Sequence, residues 1–262
     1  NWSLTKVFTA EDPDGNAQPI TVSPRLTINP SDLDKLILTV GTGSFIRNGD
    51  DTTDQVQTLY AIIDDLTETN LTRSDLLEQT ITRQDEITVA RADGSGDNEF
   101  TVRKTSDNKL TTQKGWYLDL IYNGEKTGER VISRASYPFG IFPDRVRFST
   151  LIPDPNPCGS GRRGFIMDLN LVSGGAPYDP VFDLNSDGEY SKGDLVGGGS
   201  TDYAPSGIDI GEGAEIRTIT DGESEAFITD PTKIDKDDPC KTAVCGKTLD
   251  NSIGRQTWEQ LR

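Results

Sequence analysis

Short apolar runs, each bounded by Gly, Pro, Asn or Asp, recur along the chain and are rich in β-branched and aromatic residues. They read as strands: "PITVSPRLTI" (19–28), "KLILTVGTG" (35–43), "TLYAIID" (58–64), "GWYLDLI" (115–121), "RVISRASY" (130–137), "DRVRFSTLIP" (144–153) and "RGFIMDLNLV" (163–172). The loops between them are long and acidic. Two trios of runs follow the same order. "ITVSPRL", "LILTVGTG" and "LYAIID" come first, and "VISRASY", "RVRFSTLIP" and "FIMDLNLVSGG" come later. Each trio ends on a strand that reaches Asp or Asn before a turn. Repeated small antiparallel units of this kind are what propeller blades look like in sequence. An ordinary β-sandwich fits the same strand series.

A long insertion, roughly 65–115, separates the two trios. Within it, "LTRSDLLEQTI" (71–81) predicts one short helix. Thr72 would cap it, with the acidic Asp75 three positions on, and Leu76, Leu77 and Ile81 would form its apolar face. It is expected to pack on a sheet edge and carries no chemistry. "ADGSGDNE" (92–99) reads as a mobile turn, "VGGGSTDYAPSG" (196–207) as a flexible connector, and "DPTKIDKDDPC" (230–240) as an acidic loop. The fold expected is all-β: a modified propeller, whole or partial, over 1–262, with long loops and that one helix.

Composition narrows the function. The 262 residues include 26 basic and 43 acidic ones, a net charge of −17. Such a chain repels nucleic acid and anionic lipid and favours cations as small partners. There is no histidine. That excludes serine–histidine and cysteine–histidine catalysis and histidine-ligated zinc. The cysteines, Cys158, Cys240 and Cys245, form no C-x-x-C pair. A disulfide among them suits so acidic and Asn/Asp/Gly-rich an exported chain, with the pairing open. No membrane span or signal peptide is visible, and Asn1 opens directly on a strand-like pattern. We therefore expect that a leader and an upstream region precede the chain in the native protein.

One segment carries chemistry. In "FDLNSDGEYSKGD" (182–194), oxygen-bearing residues alternate around a glycine. An EF-hand-type loop offers oxygens at positions 1, 3, 5, 7, 9 and 12, with glycine at 6. Asp183 takes position 1, Asn185 position 3, Asp187 position 5 and Gly188 position 6. Glu189 at position 7 would ligate through its carbonyl, Ser191 at 9 directly or through water, and Asp194 would close the shell at 12. Calcium wants six to eight hard oxygens, and only a tightly wound loop brings so many to one centre. Three carboxylates crowded together would be relieved by a divalent ion. Position 12 is Asp rather than Glu, and "YDPVF" before the loop reads extended, so the setting is a β fold and not a paired helical sensor. "EDPDGN" (11–16) and "RNGDDTTD" (47–54) follow no complete register and read as turns. "GTG" (41–43) lacks the rest of a phosphate loop. Acids are too abundant for any glycosidase pair to stand out.

Several stretches, in order, resemble the C-terminal domain of type IV pilus biogenesis factors and tip adhesins of the PilC/PilY type. They are "PITVSPRL", "LILTVGTGSFI" and "DTTDQVQTLYAIIDD", then "LTRSDLLEQTI", then "GWYLDL", "GERVIS", "VRFSTLIPDPNPCGSG" and "GFIMDLNLVSGG", then "PVFDLNSDG", and finally "GRQTWEQLR". The resemblance implies a quinoprotein-like β-propeller and a secreted, non-enzymatic bacterial protein. It implies a place at the cell surface or pilus tip, possible outer-membrane association, and export through the periplasm. It implies roles in pilus assembly, retraction control and attachment. The partners implied are pilus-tip components or minor pilins and a host or abiotic surface. Calcium binding is implied as well, with Asp183, Asn185, Asp187 and Asp194 the residues here that match a calcium motif. There is no Arg-Gly-Asp tripeptide. The alternative is an enzyme, either a propeller quinoprotein-type oxidoreductase or a carboxylate-based hydrolase. Against the first, Trp2, Trp116 and Trp258 show no repeated docking motif. A dockerin-like module would need two such loops, and one is found. A complete propeller needs more strands than the chain holds, so it is expected to be the C-terminal portion of a longer protein.

Overall fold

The computed structural model describes residues 5–138, 144–154, 163–197 and 202–210, and beyond these the strands 217–220, 224–228 and 244–247. The strands are β1 (Arg25–Asn29), β2 (Asp32–Gly41), β3 (Thr58–Asp64), β4 (Leu77–Gln79), β5 (Ile81–Ala90), β6 (Asp97–Thr105), β7 (Gly115–Asp119), β8 (Arg145–Ser149) and β9 (Phe165–Asn170). They continue with β10 (Phe182–Asp183), β11 (Gly207–Asp209), β12 (Arg217–Thr220), β13 (Ser224–Ile228) and β14 (Val244–Lys247). Three sheets result, in the orders β1-β2-β3-β7-β4, β5-β6-β11-β9-β8 and β10-β14-β13-β12. Among these strands every pairing is antiparallel except that of β4 with β7. The fold is all-β. Among the described residues no sheet closes into a barrel and no ring of blades is traced.

The first two sheets face one another. Strand residues alternate in direction, so β3 is apolar from Leu59 to Ile63 because both its faces are covered. Leu59, Ala61 and Ile63 point to the inter-sheet core, where they meet Phe165, Met167 and Leu169 of β9 and Val146 and Phe148 of β8. Tyr60 and Ile62 point the other way, onto Ala10, Leu71 and Leu76. Each fully buried Val, Leu, Ile, Phe or Met side chain here contributes about 1.5–3 kcal/mol. Trp116 of β7 is fully buried, meets the ring of Phe148 edge-on at 6.4 Å and donates its indole N–H to the Leu171 carbonyl at 2.9 Å. The opposite face of the second sheet carries a further cluster. There Val102, Ile166 and Ile208 pack on Val181, Phe182, Leu184 and Val196.

The repeated trios have repeated pairings. β1, β2 and β3 lie side by side, and later the segment 130–137, β8 and β9 do the same. In the later trio the first member is a strand in outline only. It contacts β8 and its extension through single bridges, Ser136 with Arg147 and Arg130 with Leu151.

The helix expected over 71–81 does not form. Thr72 and Asp75 do make the capping interaction, with the Asp75 carboxylate accepting the Thr72 N–H at 2.8 Å, but they close one 3-10 turn, Arg73–Asp75. Leu76 is already extended, and Leu77–Gln79 then pair with β7. The apolar residues follow the strand period. Leu76 joins the outer cluster, while Leu77 and Ile81 face the inter-sheet core. Beyond Gln79 the β-branched Thr80, Ile81 and Thr82 favour an extended chain. Residues 81–105 form the long β5–β6 hairpin at the edge of the second sheet.

Both short acidic stretches are turns. Asp12 accepts the N–H groups of Asp14 and Asn16, and Asp50 accepts those of Ile46 and Arg47 together with the Ser44 hydroxyl. The buried Arg130 guanidinium holds the second turn in place by donating to the carbonyls of Ser44, Asp50 and Thr53.

Candidate metal centre

The segment 182–194 folds back on itself over the outer face of the second sheet. It starts as β10, in which Phe182 is fully buried and Asp183 is 4% exposed. The apolar Phe182 and Leu184 anchor it in the cluster around Ile166 and Ile208, so the intervening Asp183 side chain turns toward the loop interior. Its Oδ1 accepts the Asp187 N–H at 3.2 Å and its Oδ2 the Gly188 N–H at 3.0 Å. Asn185 Oδ1 also accepts the Asp187 N–H, at 3.0 Å, and Asn185 Nδ2 donates to Asp187 Oδ2 at 2.9 Å. Asp187 Oδ1 accepts the Glu189 N–H at 2.7 Å.

Two left-handed residues make this winding possible. Ser186 has φ +57° and Gly188 has φ +81°. The glycine is where a side chain would meet the steeper backbone penalty.

The loop closes on Asp194, which has no exposed surface. Its Oδ1 accepts the Leu184 N–H at 2.7 Å and its Oδ2 the Ser191 N–H at 2.8 Å. Ser191 caps a 3-10 turn, Lys192–Asp194, by accepting the Gly193 N–H at 3.1 Å. Asp183, Asn185, Asp187, Ser191 and Asp194 thus lie around one turn of chain, with Asp187, Glu189 and Ser191 on its exposed side. Burial raises the Asp183 carboxyl above its usual pKa, and the neighbouring Asp194 and Asp187 charges raise it further. Burial also raises Asp194, with Asp187 adding to it.

The donor set suits a hard divalent cation. It comprises three carboxylates, one amide oxygen, one hydroxyl and a backbone carbonyl at Glu189. Among the described residues, however, no group of three or more His, Cys, Asp or Glu side chains converges on a common point as the side chains now stand. The carboxylates are instead turned to backbone N–H groups. A carboxylate has about four acceptor sites, so these bonds do not use up its capacity.

Contacts distant in sequence hold the loop, and its composition gives no sign of them. Asn98, on β6, donates to the Leu184 carbonyl at 2.8 Å and to Ser186 Oγ at 3.0 Å, from 86 and 88 residues away. The Ala92 N–H donates to the Asn185 carbonyl at 2.9 Å. The tip expected to be a mobile turn therefore clamps the loop. On its other side β10 pairs with β14, with Asp183 opposite Cys245. Cys245 is buried and disulfide-bonded. Cys158 and Cys240, the loop 230–240 and the closing "GRQTWEQLR" lie outside the described residues.

These features define an all-β domain with a wound acidic loop on a sheet face. No family model matches the chain. The chain is 28% identical over 280 residues to the type IV pilus biogenesis factor PilY1 of Pseudomonas aeruginosa, covering 97% of this chain and 22% of that protein. It is 29% identical over 279 residues to a PilY1 homologue of Xylella fastidiosa, covering 98% of this chain and 18% of that protein. The crystal structure of the Pseudomonas aeruginosa PilY1 C-terminal domain superposes with a TM-score of 0.73 at 25% identity, over 92% of this chain and 48% of that one. The chain is homologous to PilY1, and the C-terminal domain of PilY1 is its structural counterpart. It spans about a fifth of the length of the curated relatives it matches.

Proposed function

We propose that this chain is the C-terminal propeller domain, or part of it, of a secreted, non-enzymatic factor that acts at the type IV pilus and binds calcium through residues 183–194. The match to pilus biogenesis factors along nearly the whole chain supports the pilus role. We assign it to pilus assembly, retraction control and attachment, with pilus-tip components or minor pilins and a host or abiotic surface as partners. The disulfide at Cys245 suits an oxidising compartment and so favours export through the periplasm to the cell surface. Among the described residues no helix is long and apolar enough to cross a membrane.

The propeller reading draws on the two successive units of paired strands and on the apolar side of β1 and β2. Leu26 and Ile28 pair across the strands with Leu38 and Leu36, yet Leu26 is 55% exposed and Ile28 39%. The outer face of a blade is apolar in this way where another blade packs on it.

The observation that carries the calcium reading is the winding of Asp183, Asn185, Asp187 and Asp194 around one turn, with two of the carboxylates buried. Calcium, when bound, would supply the charge that these carboxylates lack. Asp183, Asn185, Asp187, Ser191 and Asp194 would hold it with side chains and Glu189 with its carbonyl. The hydrogen bonds of Asp187 all lie within the loop, so its carboxylate can turn inward without disturbing the core.

The test is thermal unfolding against calcium. At one hundred times Kd a bound ion adds about 2.7 kcal/mol, a rise in Tm of roughly 5–10 °C for a chain of this size. Asp187→Ala, at an exposed position, should keep its basal Tm and lose the rise. A parent Tm that does not move in millimolar calcium removes the site.

A further inference from the structure

Beside the loop lies a half-open groove of about 680 Å³, within the range of small-ligand sites. Tyr178 lines it and is 96% exposed, the most exposed of the large hydrophobic side chains among the described residues. A tyrosine left so far in water is unusual, because its ring gains most from burial. Here the chain holds the ring out. Pro177 and Pro180 flank "YD", fix the local backbone and remove two N–H donors, and the segment forms a bend outside any strand. Upstream, the Ala176 N–H bonds to the Ser106 carbonyl at 3.1 Å and pins the segment at its base.

The rest of the groove is lined by close-set donors and acceptors. Lys109 pairs with Asp107 at 2.5 Å, Lys104 Nζ lies 5.1 Å from the centre of the Tyr203 ring, and Asp144, Arg145, Asp179 and Asp202 are the other charged groups of the lining. The lining holds three basic and four acidic side chains, nearly balanced in a chain whose net charge is −17. Nucleic acid would need a basic excess here. Sugar hydroxyls both donate and accept, so they pair with carboxylates and ammonium groups at once. A pyranose also offers a C–H face to an aromatic ring.

We propose that this groove binds a carbohydrate chain, with one sugar ring stacked on Tyr178. The assignment rests on the attachment role proposed above and names the class of surface ligand it would use. The groove also shares its walls with the proposed calcium loop. Val181 and Leu195 line it, two residues before Asp183 and one after Asp194. Calcium in the loop would therefore fix both walls, and this coupling rests on the calcium reading.

The test is an array of neutral, sialylated and sulfated oligosaccharides probed with the full chain in calcium, followed by calorimetric titration of the best-bound sugar. Tyr178→Ala should weaken that sugar about tenfold, the loss of roughly one stacking contact, with an unchanged Tm. Tyr178→Trp should retain it. Failure to bind any array sugar below about 10 mM overturns the proposal. Equal affinity in Tyr178→Ala also overturns it, as does capture of peptides by this groove in place of sugars. Repeating the titration in a calcium chelator separates the readings. A weaker sugar affinity supports the shared walls. Calcium uptake without sugar binding sinks the carbohydrate proposal alone, and sugar binding without calcium uptake sinks the calcium reading alone.

Discussion

Replacing Glu129 with alanine should be among the most damaging single changes in this chain. Its carboxylate is 1% exposed and takes two parallel bonds from Arg103, both 2.8 Å, while the Thr150 hydroxyl donates to it at 2.6 Å. Arg103 is equally enclosed. It donates to Gln84 at 2.8 Å, and its guanidinium carbon lies 3.4 Å from the centre of the Phe165 ring. Truncating one partner strands a buried cation, at a cost of about 3–5 kcal/mol. That is a large part of the roughly 5–15 kcal/mol by which folded domains are stable. Replacing both partners, as Arg103→Met with Glu129→Leu, removes the stranded charge and keeps much of the volume. The double variant should therefore lie within about 2 kcal/mol of the parent. Urea unfolding of the parent, Arg103→Met, Glu129→Leu and the double variant gives the coupling energy, expected at about 2 kcal/mol or more. If Glu129→Ala costs less than about 1 kcal/mol, water reaches the pair and the argument from burial fails.

Three further outcomes follow from local geometry. Gly115→Ala should destabilise by about 2–4 kcal/mol in urea titration, because φ is +135° and an added Cβ would sit 2.0 Å from the Ala61 carbonyl oxygen on β3. Cys245→Ser should cost about 2–4 kcal/mol and shrink the calcium-dependent rise in Tm, since Cys245 lies opposite Asp183; reducing agent should reproduce both effects in the parent. The Arg47 N–H, the Ser44 hydroxyl and the Ile46 N–H hold the Asp50 carboxyl down to about 2. Because its folded pKa lies below the unfolded value, the stability it contributes is present above about pH 4 and is lost as pH falls toward 2. In acid unfolding, Asp50→Asn should show a shallower slope than the parent across that window.

The sequence revealed some of this architecture and hid the rest, for physical reasons. β3 was readable to the residue because both its faces are buried, so Leu59 to Ile63 are apolar without a break and the run ends sharply at Asp64. The 71–81 segment misled because Thr72 and Asp75 make a true capping interaction, which says where a turn starts and not how long it continues. Pairing of Leu77–Gln79 with β7 decided the rest, and that contact is not local. The β5–β6 hairpin was missed as strand because its exposed side is heavily charged, as in "TRQDEIT" and "NEFTVRK". The oxygen spacing of 183–194 was legible because a wound loop is a local object. Its clamp by Asn98 and its pairing with Cys245 were not, since they join segments far apart in the chain.

The two-residue strand β10 has β14 as its neighbour in the third sheet, and β14 is the last strand described. On a nascent chain the acidic turn emerges well before the strand that sets its register. Pairings so distant form late in folding. The turn would then stay a loose, anionic tether until the strand from Val244 has emerged and Cys245 has come to lie opposite Asp183. A product cut short ahead of Val244 would keep every local bond of the turn and still lack the partner strand that aligns it.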